Sequence, residues 1–327
     1  FALLAVADRF APRLVFLVCA LAGAGCTVMA WVMVRHYEAL MAWRFATGFF
    51  LAGIYPVGMK IAAQWYSRGL GAALGLLIGA LVIGSASAHA LRAIGDQLPW
   101  PTLMLGVAAL AAAGGVLLYA TVGDAPGAVA RVTTLQWRAL ASVWTDRKVR
   151  SSVLGYFGHM WELYTMWVLV PLILATRLEG PALSWAAFWV LGAGAIGCAA
   201  GGWIALRRGS ARVAGTQLGI SGLCCLAAPW LMHAPDAAFY AWLVVWGITV
   251  AGDSPQFSTL TAPPQAVGSV LTLTNSIGFG ISIVSILLFV SLVDRVALAA
   301  LIPWLAIGPA LGLWALRPLV KAERQTA

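Results

Sequence analysis

Residues 151–176 read SSVLGYFGHMWELYTMWVLVPLILAT, with one formally charged side chain, Glu162, near the middle. About 17–25 apolar residues suffice to cross hydrocarbon as a helix, so this run predicts a membrane span. An ion inside such a span costs several kcal/mol unless it is paired or faces water. A carboxylate at mid-span therefore predicts a membrane protein with a polar path through it.

Outward from this run, nine others have the same character, at 14–34, 39–60, 69–91, 100–122, 184–206, 213–232, 239–257, 267–293 and 297–316. The whole chain of 327 residues is 62% hydrophobic and 9% charged, with a mean hydropathy of +0.91. A soluble domain of this size needs far less apolar surface. The apolar run is already under way at Phe1, which predicts that 1–7 is the tail of a further span and that a first helix is missing. The opening has no cleavage-site pattern of a signal peptide.

The net charge is +9, and its distribution sets the orientation. The connections on one side of the spans (8–13, 66–68, 123–150, 207–212, 258–266 and the tail from 317) hold 14 Lys and Arg, and those on the other side hold 4. Positive charge collects on the cytoplasmic face. The expectation is a multi-pass protein of a cell's inner membrane with the central linker and C-terminus cytoplasmic. The charges gather on no water-facing module, so a nucleic-acid partner is not expected. Cys19, Cys26, Cys198, Cys224 and Cys225 all lie in spans and have no metal-ligand spacing. They read as small packing residues, and neither a metal nor a cofactor is expected.

Three further charges fall inside spans: Arg44, Lys60 and Asp253. The longest polar stretch, 123–150, divides the chain into 1–122 and 151–327. A shift of 199 residues aligns the two parts without a gap. Arg9 and Arg13 meet Arg208 and Arg212, Trp31 and Trp43 meet Trp230 and Trp242, and Gly48, Gly53 and Pro56 meet Gly247, Gly252 and Pro255. Gly69 and Gly79 meet Gly268 and Gly278. Duplicated halves with a site at their interface are a common plan for transporters.

The first connection reads Leu4-Ala5-Val6-Ala7-Asp8-Arg9-Phe10-Ala11-Pro12-Arg13, and the second span contains Leu40, Arg44, Thr47 and Gly48 at fixed spacing. The connection after it reads Ser67-Arg68-Gly69-Leu70-Gly71. These resemble the loop and helix motifs of the major facilitator superfamily. Asp8, Arg9 and Arg13 match its G-x-x-x-D-R-x-G-R-R loop, while Leu4, Ala11 and Pro12 depart from it. Thr47 stands where the family's L-x-x-x-R-x-x-Q-G pattern has Gln. The stretches 53–60, 156–162 and 253–257 are similar to a bacterial subgroup loosely related to nitrate and cyanate carriers. The glycine–asparagine signature of the nitrate carriers is absent, so that substrate is not implied. The resemblance implies an all-α membrane fold of two pseudo-symmetric six-helix bundles: 1–122, a cytoplasmic linker over 123–150, and 151–327. The ten spans would then be helices 3–12. In that fold helices 1, 4, 7 and 10 line the cavity, and all four intramembrane charges fall on helices 4, 7 and 10.

Glu162 is the deepest ion. Desolvation penalises its charged form, which suits it to take and release a proton; otherwise it is a structural carboxylate locked against a cation or a backbone amide. His159, one turn earlier on the same face, is a second candidate to carry a proton. Asp253, with Ser254 and Gln256 beside it, is either a substrate contact or gate, or an ion near the interface that reaches water or a loop arginine. Pro56 and Pro255 predict matched kinks that act as hinges. Arg44 grips an anionic solute, tunes a nearby carboxylate, or snorkels outward, and Lys60 is expected to snorkel. Tyr55 and Trp161 are candidates to line the pathway. His89 and Asn275 are either pathway residues or satisfied buried groups. Gly71, Gly75 and Gly79, and Ala193, Gly197 and Gly201, recur every four residues. They predict close packing of helices 5 and 8. Most of the sixteen tryptophans read as interfacial anchors.

These residues point to a secondary transporter that carries a small solute, an organic anion with a proton, as a monomer in the lipid bilayer. Export by proton exchange is the second mechanism. A membrane sensor or scaffold of the same fold that moves nothing is the alternative of another class. The sequence has no Walker motif, no His-Glu-x-x-His pair and no nucleophile–base spacing, so an enzyme is not expected.

Overall fold

A computed structural model describes residues 10–66, 68–94, 99–123, 125, 141, 143–261 and 267–325. Among them there is no strand. Ten helical segments are long and apolar enough to cross a membrane, and they coincide with the ten predicted runs to within a few residues at most ends. Asp8, Arg9 and most of the 123–150 linker lie outside the described residues.

In chain order the helices are α1 Pro12–Val32, α2 Tyr37–Leu51, α3 Tyr55–Trp65, α4 Leu70–Ile94 and α5 Trp100–Thr121. After the linker come α6 Arg147–Leu174, α7 Gly180–Gly192, α8 Gly194–Arg208, α9 Ser210–Leu231 and α10 Asp236–Gly252. The last are α11 Ser254–Thr261, α12 Val267–Leu292, α13 Leu298–Leu301 and α14 Ile307–Gln325, the final two joined by a 3-10 turn over Ile302–Ala306.

The repeat reappears in the helix boundaries. α2 starts at Tyr37 and α10 at Asp236; α1 ends at Val32 and α9 at Leu231; α3 starts at Tyr55 and α11 at Ser254. Each pair is 199 residues apart. The third pair contains the predicted kinks. Pro56 is the second residue of α3 and Pro255 the second of α11, where a missing N–H costs least. The spans 37–65 and 236–261 therefore break at the residues before these prolines, at Ala52–Ile54 and at Asp253.

The chain packs as two units, the first formed from Phe1–Arg68, Gly95–Leu140 and Ala262–Leu273, and the second from Gly69–Ile94, Ala141–Thr261 and Thr274–Ala327. In the first, α1 packs on α2, α3 and α5. Its core joins Val15, Cys19 and Val57, flanked by Phe16, Phe50, Ile54 and Ile61. The Arg13 guanidinium lies 5.2 Å from the Tyr119 ring centroid, a cation–π contact.

In the second unit α6 packs on α14, and α4 packs on α7 and α8. Its core is Tyr156, Met160, Ala211, Ala214, Leu218, Phe257, Leu316 and Leu319. Asp146 caps α6, its Oδ1 accepting from the N–H groups of Lys148 at 2.7 Å and Val149 at 3.2 Å. At Gly69 (φ +75°) the chain turns into α4, a conformation that side chains other than glycine's rarely adopt.

The predicted contact of helices 5 and 8 is the α4–α8 crossing, and it uses a different face of α8. A Cβ on Gly75 would stand 2.5 Å from the Cys198 carbonyl, and one on Gly79 would stand 3.3 Å from that of Ala195. From the other side, a Cβ on Gly202 would meet the Gly71 carbonyl at 2.7 Å. The face of α8 against α4 is thus Ala195, Cys198 and Gly202. Gly197 and Gly201 face elsewhere: a Cβ on Gly197 would meet the Ile248 carbonyl of α10 at 1.9 Å, and one on Gly201 the Gln217 amide of α9 at 2.3 Å. α8 packs against α4, α9, α10 and α11 and has small residues on two faces, so the four-residue spacing marks a packing face but not its partner.

Candidate functional site

A polar cluster of the second unit surrounds Glu162, which is fully buried on α6. Three donors reach it, two from α9 and one from α10. Trp246 Nε1 donates to Oε1 at 2.7 Å, Cys225 Sγ donates to the same oxygen at 3.1 Å, and Ser221 Oγ donates to Oε2 at 2.9 Å. Ser221 and Cys225 are one turn apart, so their side chains meet α6 from one face of α9. Trp246 is held in turn by stacking on Trp242, with ring centroids 5.5 Å apart. Trp242 is itself tied to the Cys224 carbonyl by a 2.9 Å hydrogen bond. No cation touches the carboxylate among the described residues.

The two carboxylate oxygens are not equivalent. Oε1 faces groups that can only donate usefully, an indole N–H and a thiol. Oε2 faces a hydroxyl, which donates or accepts. Ser221 Oγ also lies 3.1 Å from the Leu218 carbonyl. With Glu162 charged, the Ser221 proton points to Oε2. With Glu162 protonated on Oε2, the carboxyl donates to Ser221 Oγ, and the serine turns its proton to Leu218. Every polar atom of the cluster then keeps a partner in both states. A buried carboxyl that pays no unsatisfied-donor cost in either state can gain or lose a proton without rearranging the helices.

His159 and Asp253 form the second polar pair. His159 Nδ1 lies 2.7 Å from Asp253 Oδ1, with side chains 1% and 0% exposed. The contact is at ion-pair distance but is not aligned as a hydrogen bond. Asp253 sits at the α10–α11 break, where its carbonyl accepts from the N–H groups of Gln256 at 3.0 Å and Phe257 at 3.1 Å. It reaches neither water nor a loop arginine among the described residues, because the proline-induced break turns it into the interior toward His159 of α6. The His159 ring lies between Tyr156 and Phe257, with centroids 5.7 Å and 6.1 Å away.

Several buried polar atoms of the second unit have no hydrogen-bond partner among the described residues: His159 Nε2, Trp161 Nε1, the Gln256 amide and Asn275 Nδ2. Asn275 Oδ1 is satisfied by the Tyr156 hydroxyl at 2.8 Å. Trp161 is half-buried, edge-on to Phe289 at 6.2 Å. Orphaned donors at this density are uncommon in folded interiors and mark positions where a ligand or water completes the bonding.

In the first unit, Arg44 is exposed on α2, and its guanidinium makes no ion pair among the described residues. Tyr55 is half-buried at the start of α3. Lys60 is 9% exposed and does not snorkel: the break at Ala52–Ile54 carries α3 inward, and Lys60 lies among the buried residues Val57, Gly58 and Met59. Arg68 is exposed and adjoins Gly69. His89, in the second unit, is half-buried on α4.

Sequence reasoning picked out Glu162 but missed its donors Ser221, Cys225 and Trp246. It also missed Gln217, whose Nε2 donates to the Gly197 carbonyl at 3.3 Å. The i, i+4 spacing of Ser221 and Cys225 was the available signal for the first two.

The Major Facilitator Superfamily profile matches residues 1–287. No curated protein matches the sequence. Among solved structures, the human organic anion transporter MFSD10 superposes with a TM-score of 0.77 at 17% identity, covering 96% of this chain and 79% of that one. The transporter FucP in its outward conformation gives 0.69 at 14% identity, with coverages of 95% and 83%. A bacterial homologue of the iron transporter ferroportin, in its outward-facing state, gives 0.65 at 13% identity, with coverages of 98% and 85%. At these identities the likeness is one of fold.

Proposed function

As the chain belongs to the Major Facilitator Superfamily, we propose that it is a secondary active transporter that moves a small organic anion together with a proton by alternating access. The observation that carries this reading is the fully buried Glu162 carboxyl, held by Trp246, Cys225 and a Ser221 hydroxyl that can donate to it or accept from it. A purely structural carboxylate has no need of a reversible partner. A coupling site must hold its proton in one half-cycle and release it in the other.

Supporting roles follow from chemistry. Arg44 and Lys60 supply positive charge for an anionic solute. The His159–Asp253 pair is a second proton-carrying unit. Trp161, Gln256 and Asn275 offer unfilled polar atoms, and Tyr55 and His89 are further pathway residues. Pro56 and Pro255 form paired cytoplasmic hinges, one in each of the bundles 1–122 and 151–327. The protein works as a monomer in a bacterial inner membrane, with the 123–150 linker and the C-terminus cytoplasmic. Two of the solved relatives are described as an organic anion transporter and a fucose:proton symporter, which agrees with both halves of the proposal.

Proteoliposomes test it. Counterflow of a panel of small carboxylates should reveal exchange, and an inward proton gradient should drive accumulation. Glu162→Gln should retain counterflow and lose the gradient-driven component, and Ser221→Ala should weaken that component. Accumulation driven only by an outward proton gradient favours the exchange exporter. Full gradient-driven uptake by Glu162→Gln would falsify the coupling role, and absence of counterflow for every solute leaves the sensor or scaffold.

A further inference from the structure

A cleft of about 1080 Å³ opens where the end of α8, the start of α9 and the end of α14 meet. Six cations line it: Arg207 and Arg208 from α8, Arg212 from α9, and Arg317, Lys321 and Arg324 from α14. The α14 residues are spaced i, i+4, i+7 and so share one helical face. Arg208 and Arg212 are brought together by the tight turn at Gly209, with φ +86°.

Little in the structure neutralises this charge. Glu323, bonded beside the cleft residue Arg212, is spent on the helix start: Oε1 accepts from the Ala211 N–H at 2.9 Å and Oε2 from the Arg212 N–H at 3.0 Å. Arg212 Nη2 donates to the Glu323 carbonyl, while its Nε is buried without a hydrogen-bond partner. Arg207, Arg208, Arg317, Lys321 and Arg324 are exposed and form no ion pair among the described residues.

The cleft is also apolar at its other end, where Ile204 and Leu313 line it. The α14 face runs from Leu313 to Arg317 to Lys321 to Arg324, from greasy to basic along the helix axis. An inorganic anion would use only the basic end. An amphiphile with a phosphate head and acyl chains would use both.

We infer that this cleft is a binding site for an anionic phospholipid, its headgroup phosphate held by the Arg212, Arg317 and Lys321 cluster and its chains lying along Ile204 and Leu313. Basic pockets between transmembrane helices take such headgroups, each cation near the surface adding an attraction that corresponds to about fivefold in affinity. The site concerns the bilayer and not the transported solute, so its test requires no transport.

The experiment is native mass spectrometry of the detergent-purified full chain titrated with phosphatidylglycerol, with phosphatidylcholine and with inorganic phosphate. Phosphatidylglycerol should bind at least tenfold more tightly than phosphatidylcholine. Arg317→Gln, Lys321→Gln and Arg324→Gln, all at exposed positions that the fold tolerates, should each weaken phosphatidylglycerol binding about fivefold. Arg295→Gln, far along the sequence from the cleft residues, should leave it unchanged. Equal retention of the two lipids, or indifference to the three cleft substitutions, overturns the inference. Displacement of phosphatidylglycerol by millimolar inorganic phosphate also overturns it, by identifying a site for the free anion.

Discussion

Trp246 on α10 donates its indole N–H to Glu162 Oε1 on α6 across 2.7 Å, with both side chains fully buried. That bond joins two helices through the only carboxylate in the 151–176 span. It also fixes which oxygen is free to carry a proton, because Oε1 is already occupied by two donors.

Replacing Trp246 with Phe keeps most of the ring volume and removes the donor. Hydrogen bonds to charged acceptors are worth about 1.5–3 kcal/mol, and the expected loss of stability is of that size. Thermal unfolding in detergent reads it. Trp304→Phe, at a position 63% exposed, should be nearly silent. Equal effects from the two substitutions would dissociate the bond from stability.

The buried His159–Asp253 contact should be strongly coupled. Removing one partner of such a pair strands the other in a low-dielectric interior, at a cost of about 3–5 kcal/mol. His159→Ala is therefore expected to destabilise severely. Adding Asp253→Asn to it should recover a large part of the loss, because the stranded charge is gone. A double-mutant cycle measures this. Additive losses within about 0.5 kcal/mol would mean that the two groups are neighbours without interaction.

The ten spans were legible because apolarity over 20 residues needs no knowledge of partners. The breaks before Pro56 and Pro255 were legible because proline acts locally. The donors to Glu162 were not. In a lipid-facing protein both sides of a helix are apolar, so Ser221, Cys225 and Trp246 sit on helices with no periodic face to show which side is interior. Lys60 shows the same gap. Its position in the sequence suited snorkelling, and only the turn at Ala52–Ile54 reveals that α3 carries it inward. The Gly197–Gly201 spacing was read correctly as packing and assigned to the wrong neighbour, since one helix touches several.

Arg177 ties the connection after α6 to the connection before α10. Its Nη2 donates to the carbonyls of Met232 at 3.0 Å and Ala234 at 2.6 Å, its Nη1 pairs with Asp236, and its Cζ lies 4.0 Å from the Phe239 ring centroid. Asp236 is 77% exposed, so the ion pair itself adds little. The carbonyl bonds and the cation–π contact carry the effect. Arg177→Ala should cost about 2 kcal/mol, and Asp236→Asn less than about 1 kcal/mol. Reversal of that order in thermal unfolding would shift the weight to the ion pair.

A packing test that bears on the site lies between α6 and α14. A Cβ on Gly158 would stand 2.3 Å from the Gly308 carbonyl oxygen, and one on Gly308 would stand 2.4 Å from that of Gly158. The obstacle is backbone on both sides, so no side-chain rotation relieves it, and the helices must separate. That separation would move Glu162, one turn along α6, away from Ser221 and Cys225 on α9, which packs against the same α14. Gly158→Ala is therefore expected to cost about 3 kcal/mol and to reduce transport beyond what the lost stability explains. Gly84 and Gly114 are the controls, since a Cβ there meets nothing within 4 Å. Alanine at either should be neutral or stabilise by up to about 1 kcal/mol, because glycine is the poorer helix former. If Gly158→Ala melts with the two controls, the helices are not held at the separation that brings Glu162 to its donors.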